Sequence, residues 1–472
     1  MVASFSIGSD QSGEANQTTR VSSQEISQAQ LVITQNLNRQ PRASSSTLLS
    51  LPTEILCSIL DSIPLTRTLA ACCLICKTLL PLVLSRLYRN LLLRSSTRGL
   101  ALPVDAKTIL DDRSNRTLEA LISSRHKLHR YPTKIDFDLR SNFTAAQIGA
   151  TLAMTLERCQ NVVEIKLGKG DRGHGLSFAG LWEMLARLDS DERGSDLRLK
   201  ILRIEECVGN GTTLANVLSK LPHLVDLRVG QFLLEPSDFE EGSPPPPVPT
   251  FRLHTFVAKY RLTPFAFDIC TSSSWDTLRS IDVPINERNG LDLSRCSALT
   301  DVTLSLSLTF TLTSSSTQTS YFSNKRSNSL PSSSPPASAL PFLAKLSTNF
   351  RTTLESIPYL TRLTIKGSWD EGDQPLDIVR HASLLSHLSG TTIEILSIKT
   401  ELNSIALVEW LDGIDADAEG SRGRGRLRKL KIWQKRTFSF PKCEFQRTVR
   451  EKVQRKAVER RIICEWYKYE KW

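Results

Sequence analysis

No run of about eighteen apolar residues, the length a bilayer-crossing helix needs, occurs in the 472-residue chain. Its most apolar region is broken by Arg67 and Lys77. The opening MVASFSIGSDQSGEANQ lacks both the basic start and the apolar block of a secretory leader, which points to the cytoplasm or the nucleus. Cysteine is sparse and unpaired in spacing: ten residues, with only Cys73 and Cys76 forming a CxxC. A second such pair or a nearby histidine pair is missing, so neither a disulfide framework nor a metal site is expected. Seven histidines fall in different segments, and His381 and His387, six apart, miss the i, i+4 spacing of helical zinc ligands. There is no GxSxG elbow, no Walker loop and no paired-carboxylate signature, so no catalytic residue and no cofactor is expected.

One glycine pattern stands against that. Gly168, Gly170 and Gly173 form a GxGxxG after a strand-like stretch ending at Leu167, an arrangement that lets backbone approach a pyrophosphate. The acidic partner for a ribose belongs about 20 residues further on, whereas Glu205 lies 32 past Gly173. A loop between structural elements is the expectation.

What the chain does carry is a local excess of positive charge. The net charge is +11, yet residues 421–472 alone hold 18 Lys and Arg against 5 Asp and Glu, which leaves residues 1–420 at −2. Just upstream, residues 401–420 contain Glu401, Glu409, Asp412, Asp415, Asp417 and Glu419 with no cation, an acidic stretch placed to neutralise part of the basic one.

Composition divides the chain. Residues 1–46, rich in Ser, Gln, Asn and Thr, read as a disordered tail. From 47 to 93 the pattern is helical: Ile55, Leu56, Ile59 and Leu60 form a stripe, Pro52 and Glu54 suit a first turn, Pro64 ends the helix, and a third helix is expected from Pro81 through the run ending at Leu93. Residues 94–131 read as a helical linker. From 132 to 440 the pattern apolar-x-x-apolar-x-apolar recurs at Val162, Leu199, Leu224, Leu253, Leu278, Leu299, Leu360, Ile393 and Leu427, with a degenerate copy at Pro132. The one long interval, 61 residues after Leu299, contains a Ser-rich low-complexity insertion over 313–338. Helical stretches separate the strands. A strand and a helix repeating in this way cannot bury an apolar face alone, so neighbours must stack in a parallel array. Residues 441–472 read as a basic amphipathic helix, with Phe445, Val449, Val453, Ala457, Ile463 and Trp466 near one face.

Two resemblances follow from these residues. The recurring strand pattern resembles an irregular leucine-rich repeat, with Cys207 and Asn286 at the family's turn position. The segment SLPTEILCSILDSIP, continued through the Cys76-Lys77 pair to Leu87-Tyr88-Arg89, resembles an F-box. The fold class this implies is α/β: an N-terminal three-helix F-box followed by an irregular leucine-rich-repeat-like α/β solenoid. The resemblance further implies a non-enzymatic substrate receptor of a cullin-RING ubiquitin ligase. Leu51, Pro52, Ile55, Leu56, Ile59, Pro64 and Leu69 would then face a Skp-type adaptor and, through it, a cullin. An unknown protein substrate would meet the outward strand positions Lys166, Arg203, Arg228, Asp282, Thr303, Thr364, Ser397 and Lys431, with Arg203 and Arg228 as a phosphate-binding pair. The rival is a repeat protein that binds nucleic acid or acidic surfaces through its basic C-terminus.

Overall fold

The computed structural model describes residues 51–63, 66–73, 77, 79–95, 110–124, 127–138, 144–168, 176–190, 197–209, 211–234, 249–260, 262–286, 288, 290–306, 340–357, 359–367, 383–388, 391–399, 404–413, 427–435 and 441–469. The tail expected over 1–46 and the insertion expected over 313–338 lie outside them. The chain divides after Val83 into two compact units.

In the first unit, α1 (Thr53–Asp61) starts where the Pro52 carbonyl accepts the amides of Ile55 and Leu56, and Glu54 sits at the positive end of the helix dipole. It stops at Ser62, whose hydroxyl donates to the Ile59 carbonyl. Then come α2 (Thr66–Cys72) and the start of α3 (Leu80–Leu87). Leu56, Leu60, Leu69, Leu79 and Val83 are buried. The third helix is shorter than its apolar run suggested. Residues Asn90–Arg94 are instead strand β1, paired in parallel with β2 (Lys134–Asp138), and Leu91 and Leu93 are buried with the period of two that a strand imposes. The helical linker expected over 94–131 therefore opens on a strand residue, and its helical part is α4 (Asp112–Ser123) and a 3-10 turn, Leu128–Arg130.

The second unit is built on one sheet of twelve parallel strands whose spatial order is the order of the chain, β1 to β12. After β2 come α5 (Ala145–Arg158), β3 (Glu164–Leu167), α6 (Leu176–Ser190), β4 (Ile201–Gly209), α7 (Gly211–Ser219), β5 (Asp226–Leu234) and β6 (Thr255–Tyr260). These are followed by α8 (Pro264–Thr271), β7 (Ser280–Ile285), β8 (Asp301–Leu306), α9 (Leu340–Glu355), β9 (Arg362–Gly367) and β10 (Ile395–Lys399). The chain closes with α10 (Ser404–Gly413), β11 (Lys429–Lys435), α11 (Pro441–Glu459) and β12 (Ile463–Tyr469). The fold is thus α/β with a single parallel sheet.

The repeated sequence pattern maps onto this sheet directly. In Leu199, Leu202 and Ile204 the first residue is buried beneath the turn entering β4, and the other two point to the helical face of the strand. The same three positions recur as Leu224, Leu227 and Val229, as Leu278, Ile281 and Val283, and as Leu360, Leu363 and Ile365, all buried. With Leu118, Leu152, Leu181, Val217, Leu346, Leu411 and Val453 from the helices they form one apolar core. Intervening strand residues are only half-buried, as in β8, where Asp301, Thr303 and Ser305 alternate with Val302, Leu304 and Leu306. Parallel strands covered on both faces are apolar throughout; here one face is covered and the other is open.

Hydroxyl and amide side chains stitch successive turns together. Asn161 Nδ2 donates to the Arg130 carbonyl at 2.7 Å, Thr277 Oγ1 to that of Leu253 at 3.0 Å, Thr361 Oγ1 to that of Thr300 at 3.0 Å and Thr392 Oγ1 to that of Leu360 at 2.9 Å. At the C-terminus the expected helix over 441–472 ends at Glu459. Arg461 takes a left-handed conformation with φ 59°, and Ile462 and Arg461 donate their amides to the carbonyls of Ala457 and Val458. This Schellman turn leads into β12, so Ile463 and Trp466 lie on a strand, while Val453 and Ala457 remain buried on the helix. Among the described residues no helix is long and apolar enough to cross a membrane.

Candidate functional site

The open face of the sheet is where polar side chains stand in register. Its central row runs Leu92, Asp136, Lys166, Arg203, Arg228, Val257, Asp282, Thr303, Thr364, Ser397, Lys431 and Glu465, each opposite the next on the adjacent strand. The eight outward positions read from the sequence all fall in this row. Strands in a sheet lie about 4.8 Å apart, so the row is continuous and every side chain on it can reach its neighbours.

Charge is distributed unevenly along the face. From β1 to β5 every cation has a carboxylate partner. Arg94 lies 3.7 Å from Asp138, Lys134 3.0 Å from Glu164 and Lys166 3.6 Å from Asp136. Arg203 Nε is 3.0 Å from Glu164 Oε1, and Arg228 clasps Asp226 through Nε and Nη2, the closest approach being 2.8 Å. The clasp raises the Arg228 pKa through the hydrogen bond to Asp226, against the effect of burial. Arg203 and Arg228 are therefore adjacent, as expected, yet both are already engaged by carboxylates. Gly230, next in line on β5, has no room for a side chain: a Cβ there would lie 2.1 Å from the Glu205 carbonyl oxygen. Lys259 on β6 thus reaches over β5 to Glu205 on β4, at 3.8 Å.

From β8 to β12 the balance shifts. Arg362, Lys366, Lys399, Lys429 and Lys431 face Asp301 and Glu465 on these strands. Lys366 crosses β8 to pair with Asp282, which also accepts from Ser305 Oγ at 3.3 Å. Glu465 is taken by Lys429 at 2.6 Å and by the Tyr467 hydroxyl. Lys399 lies opposite Lys366 in the register, with its Nζ 4.6 Å above the Trp433 ring, and Trp433 stacks on Tyr467 at 4.5 Å between centroids. Burial, then the nearby Lys366 and Lys431, hold the Lys399 pKa below the usual lysine range, with Asp282 opposing. Among the described residues neither Lys399 nor Lys431 has a carboxylate within ion-pair distance, and the buried Trp433 indole N–H has no acceptor. Lys366, Lys399, Trp433 and Tyr467 were not singled out in the sequence. Each lies two positions beyond a central-row residue, so the strand period alone places them on the same face.

In the first unit, α1 has two apolar sides. Leu56 and Leu60 are buried, whereas Leu51, Ile55 and Ile59 are 37%, 47% and 37% exposed, one helical turn apart, with Pro52 exposed beside them. Of the seven residues read as adaptor-facing, Leu56 and Leu69 thus belong to the interior and Pro64 lies outside the described residues. The stripe seen in the sequence is thus split between a buried and an exposed side of one helix.

The remaining motifs resolve simply. The Gly168 amide donates to the Phe137 carbonyl at 2.7 Å, which continues the β2–β3 ladder; Gly170 and Gly173 lie outside the described residues. His387 Nε2 shares a 2.8 Å hydrogen bond with Ser347 Oγ and packs on Phe350, and His381 lies outside the described residues. Cys76 also lies outside them, and among those described no group of His, Cys, Asp and Glu is arranged to hold a metal ion. The expected neutralisation of the basic C-terminus is made by Asp412, whose carboxylate is 2.9 Å from Lys456 Nζ and whose carbonyl accepts from Arg460. At the turn after β7, Asn286 Oδ1 accepts the Arg288 amide at 2.8 Å.

No protein-family profile matches this chain, and no curated protein matches it. Among solved structures, a protein from Bacteroides fragilis is similar at a TM-score of 0.28 and 10% identity, covering 79% of this chain and 72% of that one.

Proposed function

We propose that this chain is a substrate-receptor subunit of an SCF-type ubiquitin ligase. Its first unit is an F-box that docks on a Skp-type adaptor, and its parallel sheet is an irregular leucine-rich-repeat-like solenoid that recruits a protein substrate on its open face. The observation that carries the reading is the exposed stripe of Leu51, Pro52, Ile55 and Ile59. Apolar side chains of this size, contiguous on a helix whose other side is already buried, are the mark of a protein-binding surface. The in-register polar row supplies the second surface, and the strand order equal to chain order supports stacked repeats. In this role the chain contributes no reacting group. It raises the effective concentration of substrate near a cullin-bound enzyme.

The test is co-expression with a Skp-type adaptor and affinity capture, comparing the wild-type chain with Ile55→Glu/Ile59→Glu and with Leu51→Ala/Pro52→Ala. All four positions are exposed, so both variants should fold. Capture of adaptor and cullin by the wild type, lost in the variants, is expected. Failure of a folded wild-type chain to capture the adaptor would overturn the reading. A second reading, binding of nucleic acid or an acidic surface, rests on Lys452, Arg455 and Arg461, which are exposed in and just after α11. Salt-sensitive binding lost on replacing those three would favour it.

A further inference from the structure

The open face holds one place where every unsatisfied group is a cation or a donor. Around β9–β11, Lys399 and Lys431 have no carboxylate within ion-pair distance among the described residues, although Asp282 faces Lys399 and Glu465 lies opposite Lys431. Lys366 shares its single carboxylate with Ser305, and the Trp433 N–H has no acceptor. The hydroxyls of Thr303 and Thr364 stand in the adjoining row. The side chains that could have neutralised the lysines are committed elsewhere, Glu465 to Lys429 and Tyr467 above all. What is missing is an acceptor-rich anion.

We propose that Lys366, Lys399 and Lys431, with Trp433 at their base, form the binding site for a phosphorylated segment of a partner protein. The proposal rests on the reading of the open face as the recruiting surface and names the chemistry it selects. A phosphate monoester carries about −1.5 to −2 charges at pH 7 and three strong acceptor oxygens. It meets two unpaired ammonium groups and a shared third, where a carboxylate would leave one cation unmatched. A site on an uncovered sheet face offers a lone small anion few contacts, so the phosphoryl group must arrive on a chain that also covers the Trp433–Tyr467 stack and the threonine row. A nucleic acid would need a track of free cations along the strands it crosses. The balanced pairs on β1–β5 interrupt any such track.

The experiment uses the full chain and two immobilised peptide libraries with degenerate flanks, one with a central phosphothreonine and one with threonine. The wild type should be retained by the phosphorylated library about tenfold more strongly. Lys399→Ala/Lys431→Ala should abolish the difference, while Lys452→Ala/Arg455→Ala, which removes equal charge from α11, should preserve it. Equal retention on both libraries overturns the proposal, as does retention unchanged in the Lys399/Lys431 variant. So does tighter binding of a ten-nucleotide oligothymidylate that is lost with the same two lysines, which would make the patch a nucleic-acid site. Adaptor capture is measured on the same preparations. A chain that captures adaptor but ignores phosphothreonine loses this proposal alone, and one that binds phosphothreonine but not adaptor loses the ligase reading alone.

Discussion

Ser274 is fully buried and its hydroxyl accepts the Leu253 amide at 2.8 Å, tying the turn before β7 to the turn before β6. Ser274→Ala removes the acceptor and strands the donor in the core. A loss of about 1–3 kcal/mol is expected, measurable by urea unfolding with an unchanged m-value. His387 supplies a pH dependence. Burial, followed by the neighbouring Arg351 and opposed by Glu355, lowers its pKa below the ordinary 6.5. The unfolded chain then binds the proton more readily than the folded one, so the contribution is complete above pH 6.5 and is lost as pH falls through the lowered value. Melting temperature should drop more steeply with acid in the wild type than in His387→Gln, and parallel curves would show that the ring titrates without linkage to folding.

At the scale of elements, α5 and α6 touch through glycine. A Cβ on Gly149 would lie 2.4 Å from that of Glu183, and one on Gly180 would lie 2.5 Å from Ile148 Cγ2. Alanine ordinarily stabilises a helix interior by about 1 kcal/mol relative to glycine; here the sign should reverse, with Gly149→Ala lowering the melting temperature because the two helices must part. Ten of the twelve strands were legible in the sequence, since each carries the spaced apolar triad or, at Pro132, a degenerate copy of it. The other two were hidden for different reasons. β1 continues a helix-like run, LLPLVLSRLYRNLLL, in which apolar residues are too dense to reveal a period. In β12, Ile463 and Trp466 also fit the face of the helix before them, and only the left-handed turn at Arg461 separates the two. For the candidate site, the strand period gave the outward positions but could not say which cations were neutralised. Lys366 finds Asp282 84 residues away, and such pairings come from stacking, which no local window contains.

The whole sheet has no long-range closure. Each strand pairs only with its predecessor and successor, so stability is shared between nearest neighbours. Hydrogen exchange should accordingly grade along the array, with slow amides in β4–β8 and fast ones in β12, whose outer edge has no strand partner among the described residues and whose Ile463 is 61% exposed. The N-terminal edge should exchange more slowly than the C-terminal one. There the Arg94 amide is held by Ser114 Oγ, and its carbonyl by the Asp111 amide. Uniform protection across all strands would show global cooperativity and contradict the graded picture. The agreement of spatial order with chain order also bears on biosynthesis. As the polypeptide leaves the ribosome, each newly emerged strand finds its template already in place, and no nascent segment has to wait for one not yet translated. The long interval of sequence between β8 and β9, which pair directly, is then only a pause in the addition of strands.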